Sequence, residues 1–304
     1  MSDALPQHLH SAAYFGDARD FWWNRDYVEL LARRLDLASV TRALDAGCGV
    51  GHWGRVLLPH MPAAALVGVD RETAWVDEAA KRAAAAGFGD RATYRVGTVE
   101  ALPFDDASFD LVTCQTVLIH VPDVPRVLRE FLRVLRPGGQ ALLAEPSNLA
   151  DAVATGSARH DDPVDERIEL LRVQLLCERG KVALGEGDNS LGDVLPGLVA
   201  EAGFARLACW LSDRVQLLVP PYDAPDQRAA RDEALDLDAR DFWVWGREET
   251  RRYYLAGGGA AEDFDAVWSR CLGAKRRDAE GLRRGTFHAG LGGPLYVVAA
   301  RKPA

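Results

Sequence analysis

From Val40 to Glu145 short apolar runs alternate with longer amphipathic stretches. The runs Ala43–Asp45, Leu66–Asp70, Thr93–Val96, Leu111–Cys114 and Gln140–Glu145 predict strands. Between them, Trp75–Ala86 is rich in alanine with charges at helical spacing, and Val124–Leu135 is closed by Pro137-Gly138-Gly139. Both predict crossover helices, so the pattern implies an α/β fold with a parallel, doubly wound sheet. Ligands of such sheets bind beyond the C-terminal strand ends, where Gly47 to Gly51, Asp70, Thr98 and Gln115 fall.

The flanks predict additions to this core. Asp20–Leu35 reads as a helix capped by Asp17 or Asp20, with Val28, Leu31 and Leu35 on one face. The chain then divides into 1–39, a helical N-terminal segment; 40–145, the core; 146–190, an insertion; 191–219, more core; 220–293, a second insertion; and 294–304, a last strand over Leu295–Ala300. The first insertion carries a helix near Val164–Lys181 with Ile168, Leu171 and Leu175 on one face. The continued core reads as a helix over Leu191–Ala202 and strand material over Leu207–Val219. The second insertion is aromatic, with Phe264, Val267, Trp268 and Cys271 at helical spacing. Two insertions from adjacent strand ends predict a helical cap over the site, the alternative being a peripheral packing or dimerisation layer. Trp243, Trp245 and Tyr254 are expected to line an acceptor pocket, and Gly257-Gly258-Gly259 to form a flexible joint.

The candidate chemistry begins at Arg42-Ala-Leu-Asp-Ala-Gly-Cys-Gly-Val-Gly-His-Trp-Gly54, a strand that ends at an acid and enters a glycine loop. Glycines there let the backbone turn sharply and leave room for a ligand. The pattern Asp45-x-Gly47-x-Gly49-x-Gly51 resembles the S-adenosylmethionine (SAM) motif of class I methyltransferases. Arg95–Phe104, Phe109–Gln115 and Leu128–Leu135 with Arg136-Pro-Gly-Gly139 resemble later motifs of that family in the same order. The branch resembled includes the ubiquinone, menaquinone and natural-product methyltransferases. A rival remains, because Gly49-Val-Gly51-His-Trp-Gly54 also satisfies the dinucleotide pattern, with Asp70 about 20 residues on. That register would put Asp45-Ala-Gly47-Cys48 inside the strand, an awkward place for aspartate and glycine. A nicotinamide-dependent oxidoreductase and a non-catalytic SAM-binding protein are the alternatives to an enzyme that methylates a small molecule at O, N or C.

The resemblance implies seven strands with the last antiparallel, and it implies roles. Gly47, Gly49 and Gly51 admit the methionyl and ribose parts of SAM, Asp45 helps hold the methionyl amino group, and Asp70 takes the ribose hydroxyls. Arg71 and Trp75 pack against the adenine, Thr98 stands where the family often has an aspartate, and the Val99 backbone shares adenine recognition. Gln115 lines the methionyl end or the acceptor site, and Arg19 pairs with the methionyl carboxylate. His120 and Glu145 are the candidates for the acceptor's proton.

Composition narrows the partners. The chain has 304 residues, 48% of them hydrophobic, enough for a full core. A net charge of −9 argues against a phosphate backbone as substrate, so no nucleic acid is expected. The five cysteines show no C-x-x-C pair, so neither a disulfide framework nor a metal site is indicated. With no long apolar run and no leader pattern, a cytoplasmic protein without membrane contact is expected, with a homodimer as one option for its assembly.

Overall fold

In the computed structural model the described residues are 19 and 21–304. The first helix, α1, spans Arg25–Arg34, so the helix begins later than the sequence pattern suggests; Asp17 and Asp20 lie outside the described residues. Asn24 precedes it, but its amide donates to Asp213 instead of capping the helix. Then follow β1 (Arg42–Ala46), α2 (His52–Leu57), β2 (Ala65–Asp70), α3 (Thr73–Ala85), β3 (Ala92–Val96), β4 (Phe109–Gln115), α4 (Val124–Val134) and β5 (Leu135–Pro146). The first insertion supplies α5 (Asn148–Asp151) and α6 (Val164–Ala183). The core resumes with α7 (Leu195–Glu201) and β6 (Ala205–Leu211). Next come β7 (Gln216–Leu218), α8 (Pro225–Ala239), α9 (Arg247–Ala256), α10 (Phe264–Arg284), β8 (Ala289–Leu291) and β9 (Leu295–Arg301).

The main sheet has the order β3-β2-β1-β4-β5-β9-β6. Strands β1 to β5 run parallel, and β9 lies antiparallel between β5 and β6. Alternating side chains sort to opposite faces, as the two-residue period of a strand requires. Leu44, Val112 and Leu143 pack with Leu128 and Phe131 of α4 and Val199 of α7; Ala43, Leu111 and Leu142 pack with Leu31 of α1 and Leu57 of α2. The stretch Leu191–Ala202 breaks into a 3-10 turn over Leu191–Asp193 and α7, where Pro196 starts the helix. The run Leu207–Val219 also divides, because β7 leaves the sheet and pairs with β8 in a separate ribbon. No helix among the described residues is long and apolar enough to cross a membrane.

The insertions share a core of their own, in which Val173 and Cys177 of α6 meet Trp243, Trp245, Tyr253, Tyr254, Phe264 and Trp268. Trp243, Trp245 and Tyr254 are therefore all buried in this shared core, where Trp245 stands edge-on to Tyr253 at 5.3 Å and Tyr254 lies 5.9 Å from Phe264. The glycine triplet is no loose joint. A Cβ on Gly257 would lie 1.9 Å from the Leu176 carbonyl oxygen, and one on Gly180 would lie 1.8 Å from that of Tyr253. Helices α6 and α9 touch backbone to backbone at these two glycines. On α6 the side chains Val173, Gln174, Cys177, Glu178 and Lys181 are buried, whereas Ile168 and Leu175 of the expected apolar face are exposed.

Candidate active site

The loop after β1 is fixed before any ligand is considered. The N–H groups of Gly47 and Cys48 both donate to the Val69 carbonyl, at 2.7 and 2.9 Å, so β1 ends at Ala46 and the turn starts at Gly47. This register places Gly47 and Cys48 outside the strand, against the dinucleotide alternative. Gly47, Gly49 and Gly51 take φ of +70, +50 and +71, which side chains disfavour. A Cβ on Gly47 would fall 2.6 Å from Val117, so the loop packs directly on the turn that follows β4. Asp70, at the end of β2, accepts from the N–H groups of Gly49 (2.9 Å) and Glu72 (3.1 Å). Asp45 is buried and accepts from the N–H of Gly54 at 3.0 Å; burial pushes its carboxyl up to about 7, the Gly54 hydrogen bond opposing.

The end of β4 forms the opposite wall. Gln115 is buried, its Oε1 accepts from Trp23 Nε1 at 3.3 Å, and its Nε2 has no partner among the described residues. A buried amide donor left unpaired costs on the order of 1–3 kcal/mol, so it marks a position where a ligand's acceptor would be stabilising. Thr116 follows at φ +54, and Arg19 Nη2 donates to its Oγ1 at 3.3 Å while the guanidinium lies over Trp22. Burial pulls Arg19 down to about 10, with the Glu233 carboxylate of α8 opposing. The charge of Glu233 on the second insertion thus acts on Arg19 beside the end of β4.

The remaining expected residues divide. Val99 is buried and Thr98 is exposed in a short turn bridged to Ala101. Arg71 is exposed and ion-paired with Glu72. Trp75 is only 1% exposed, enclosed by protein, and offers no open face for an adenine. His120 is half-buried at the end of the 3-10 turn Leu118–His120. Glu145 does not face an acceptor. It is fully buried, its Oε1 accepts from the N–H groups of Val117 and Leu118 at 2.9 Å, and its Oε2 accepts from that of Ile119 at 3.4 Å. Burial pushes its carboxyl up to about 7 despite those bonds. The carboxylate anchors the turn that carries His120, and its role as a base is withdrawn because backbone donors occupy it.

Several residues of the site carried no readable signal. Trp23 looks like ordinary core, Thr116 like any strand-end hydroxyl, and Glu233 and Lys181 like solvated charges on insertion helices. Tyr94 of β3 packs against Gly51 and Gly68 with a buried hydroxyl that has no partner among the described residues.

The positive-φ glycine loop, the acid at the end of β2 and the unpaired Gln115 amide fit a ligand with both ribose and amino-acid parts. Residues 44–143, running from β1 into β5, match the family described as "Methyltransferase domain". The core is a class I, SAM-dependent methyltransferase domain. This methyltransferase core is 35% identical over 118 residues to methyltransferase GfsG of Streptomyces halstedii, covering 39% of this chain and 42% of that protein. A sterol 24-C-methyltransferase of Aspergillus fumigatus is 28% identical over 289 residues, covering 90% of this chain and 68% of that one. The YcgJ protein of Bacillus subtilis shares the fold at a TM-score of 0.50 and 20% identity, covering 92% of this chain and 100% of that chain. Over the core, the chain spans about half the length of the curated relatives it matches.

Proposed function

We propose that the whole chain transfers the methyl group of SAM to a small organic acceptor held between the crevice and the cap. The observation that carries this reading is the unpaired, buried Gln115 Nε2 at the end of β4, the strand paired with β1, which leads into a glycine loop held by Asp70. When bound, SAM supplies a methyl group already activated for in-line displacement, so the protein's work is positioning and exclusion of water. Asp70 takes the ribose hydroxyls, Gln115 and Arg19 hold the methionyl end, and Val99 with Thr98 borders the adenine. Asp45 acts at one remove, fixing Gly54 and hence the start of α2. Where the acceptor must lose a proton, His120 receives it. The net charge of −9 supports an acceptor other than nucleic acid, and five free cysteines support a cytoplasmic, reducing setting.

The test is calorimetry with S-adenosylhomocysteine. Asp70→Ala is expected to weaken binding roughly 30- to 150-fold, equivalent to about 2–3 kcal/mol for two hydroxyls left unpaired. Unchanged affinity in the folded variant would overturn the assignment. Mass spectrometry of small hydroxyl, amine and enol acceptors incubated with enzyme and SAM then reads methyl addition directly.

A further inference from the structure

Lysines on helices ordinarily keep the ammonium in water. Lys181 of α6 is instead 1% exposed, and its Nζ donates to the Ile119 carbonyl at 2.7 Å and to Asn189 Oδ1. Burial pulls this ammonium down to about 8, with Glu178, Asp188, Glu186 and Glu145 opposing. The peptide it binds belongs to the same turn whose N–H groups are held by Glu145. Gly187, also from the first insertion, presses the same place: a Cβ there would lie 2.3 Å from the Ile119 oxygen. The turn is therefore gripped from beneath by a carboxylate of the sheet and from above by an ammonium of the cap. Its first residue, Val117, fills the space beside Gly47 of the glycine loop.

We propose that Lys181 is a positioning residue: through Ile119 and Val117 it transmits the cap's hold to the glycine loop, so that cofactor affinity depends on a side chain of the first insertion. The proposal rests on the crevice being the SAM site. It gives the first insertion a part in binding a cofactor that none of its own side chains need touch. Without the ammonium, the Ile119 carbonyl loses a charge-assisted bond inside the protein, and the turn gains freedom that bound cofactor must then remove.

The full chain is compared as wild type, Lys181→Met and Lys181→Arg by amide hydrogen exchange and by calorimetry with S-adenosylhomocysteine. Lys181→Met keeps the apolar stem and is expected to speed exchange at Val117, Leu118 and Ile119 about tenfold and to weaken S-adenosylhomocysteine to a similar degree, the worth of one such bond. Lys181→Arg is expected to restore most of both. Faster exchange with unchanged affinity would overturn the proposal by showing a structural bond only, as would unchanged values of both. Should Lys181→Met fail to fold, Asn189→Ala decides: it removes the second partner and is expected to shift both readouts the same way by a smaller factor, no shift overturning the proposal. If the wild type binds no S-adenosylhomocysteine, the proposed function fails, while the exchange data still judge the grip on the turn.

Discussion

The core and the cap bury their helices by different rules. In the core, α4 sets Val127, Leu128, Phe131 and Val134 against the sheet, and its polar side chains face outward. In the cap, α6 buries Gln174, Glu178 and Lys181 among its contacts and leaves Val164, Ile168, Leu175 and Val182 exposed. Apolar periodicity finds the buried face only where the opposing surface is itself apolar. Helix α6 faces partly the aromatic core of the cap and partly the carbonyl of a core turn, and an ammonium satisfies the second better than a leucine would.

The largest expected effect separates the two regions at their junction. Glu145→Ala leaves the N–H groups of Val117, Leu118 and Ile119 unpaired in a dry site, and should cost about 3–5 kcal/mol in urea unfolding. A loss below about 1 kcal/mol would mean that water replaces the carboxylate and that the turn stands without its anchor. Next in size is Gly180→Ala, whose added methyl meets the Tyr253 carbonyl and should cost about 3 kcal/mol through overpacking. Because the cap has its own core, calorimetry is expected to show an earlier, separate cap transition. A single transition merely shifted downward would join cap and core into one cooperative unit.

The core was legible in the sequence because its signals are local. A strand that ends just past Asp45 and turns at Gly47, an acid at the end of β2 and Gln115 at the end of β4 are each fixed by their own few residues, and the antiparallel β9 came from the resemblance to the methyltransferase family. What escaped depends on partners far along the chain. Glu145 reads the same whether it faces an acceptor or three backbone amides behind it. Lys181 reads as solvated until Ile119 is placed beneath it. Gly257 belongs to a triplet whose composition suggests flexibility, yet its lack of a side chain serves the close approach of α6 and α9.

Titration gives a smaller, graded comparison. Burial raises Asp45 and Glu145 of the core and Glu178 of the cap from their ordinary values to about 7. Between roughly pH 4.5 and 7 these groups hold protons in the folded state and release them on unfolding, so stability falls as pH rises, by about 1.4 kcal/mol per unit for each proton. Lys181, lowered to about 8, works the other way: from about pH 8 to 10.5 the unfolded chain holds the extra proton and stability rises with pH. Above about pH 8.5 the thiols of Cys48, Cys114, Cys177 and Cys271, all pushed up by burial, oppose that rise, so urea midpoints should fall between about pH 5 and 7 and flatten between about pH 7 and 8. Glu145→Gln, which cannot ionise, should flatten the lower limb by one proton's slope. An unchanged slope would assign the effect to other acids.

The smallest expected effect bears most directly on which face of α6 is buried. A helix that packed by apolar periodicity would lose about 2 kcal/mol or more on replacing a buried Ile or Leu by serine, through lost burial and an unpaired hydroxyl. Ile168 and Leu175 are instead 57% and 48% exposed, and surface substitutions away from caps and ion pairs usually change stability by less than about 0.5 kcal/mol. Ile168→Ser and Leu175→Ser are therefore expected to leave the urea midpoint of the cap almost unmoved. Val173→Ser, on the buried side of the same helix, should lower it clearly. A large loss at Ile168 or Leu175 would mean that this face is covered in solution. The contrast between the two regions would then narrow, because the apolar periodicity of α6 would have marked a buried surface after all.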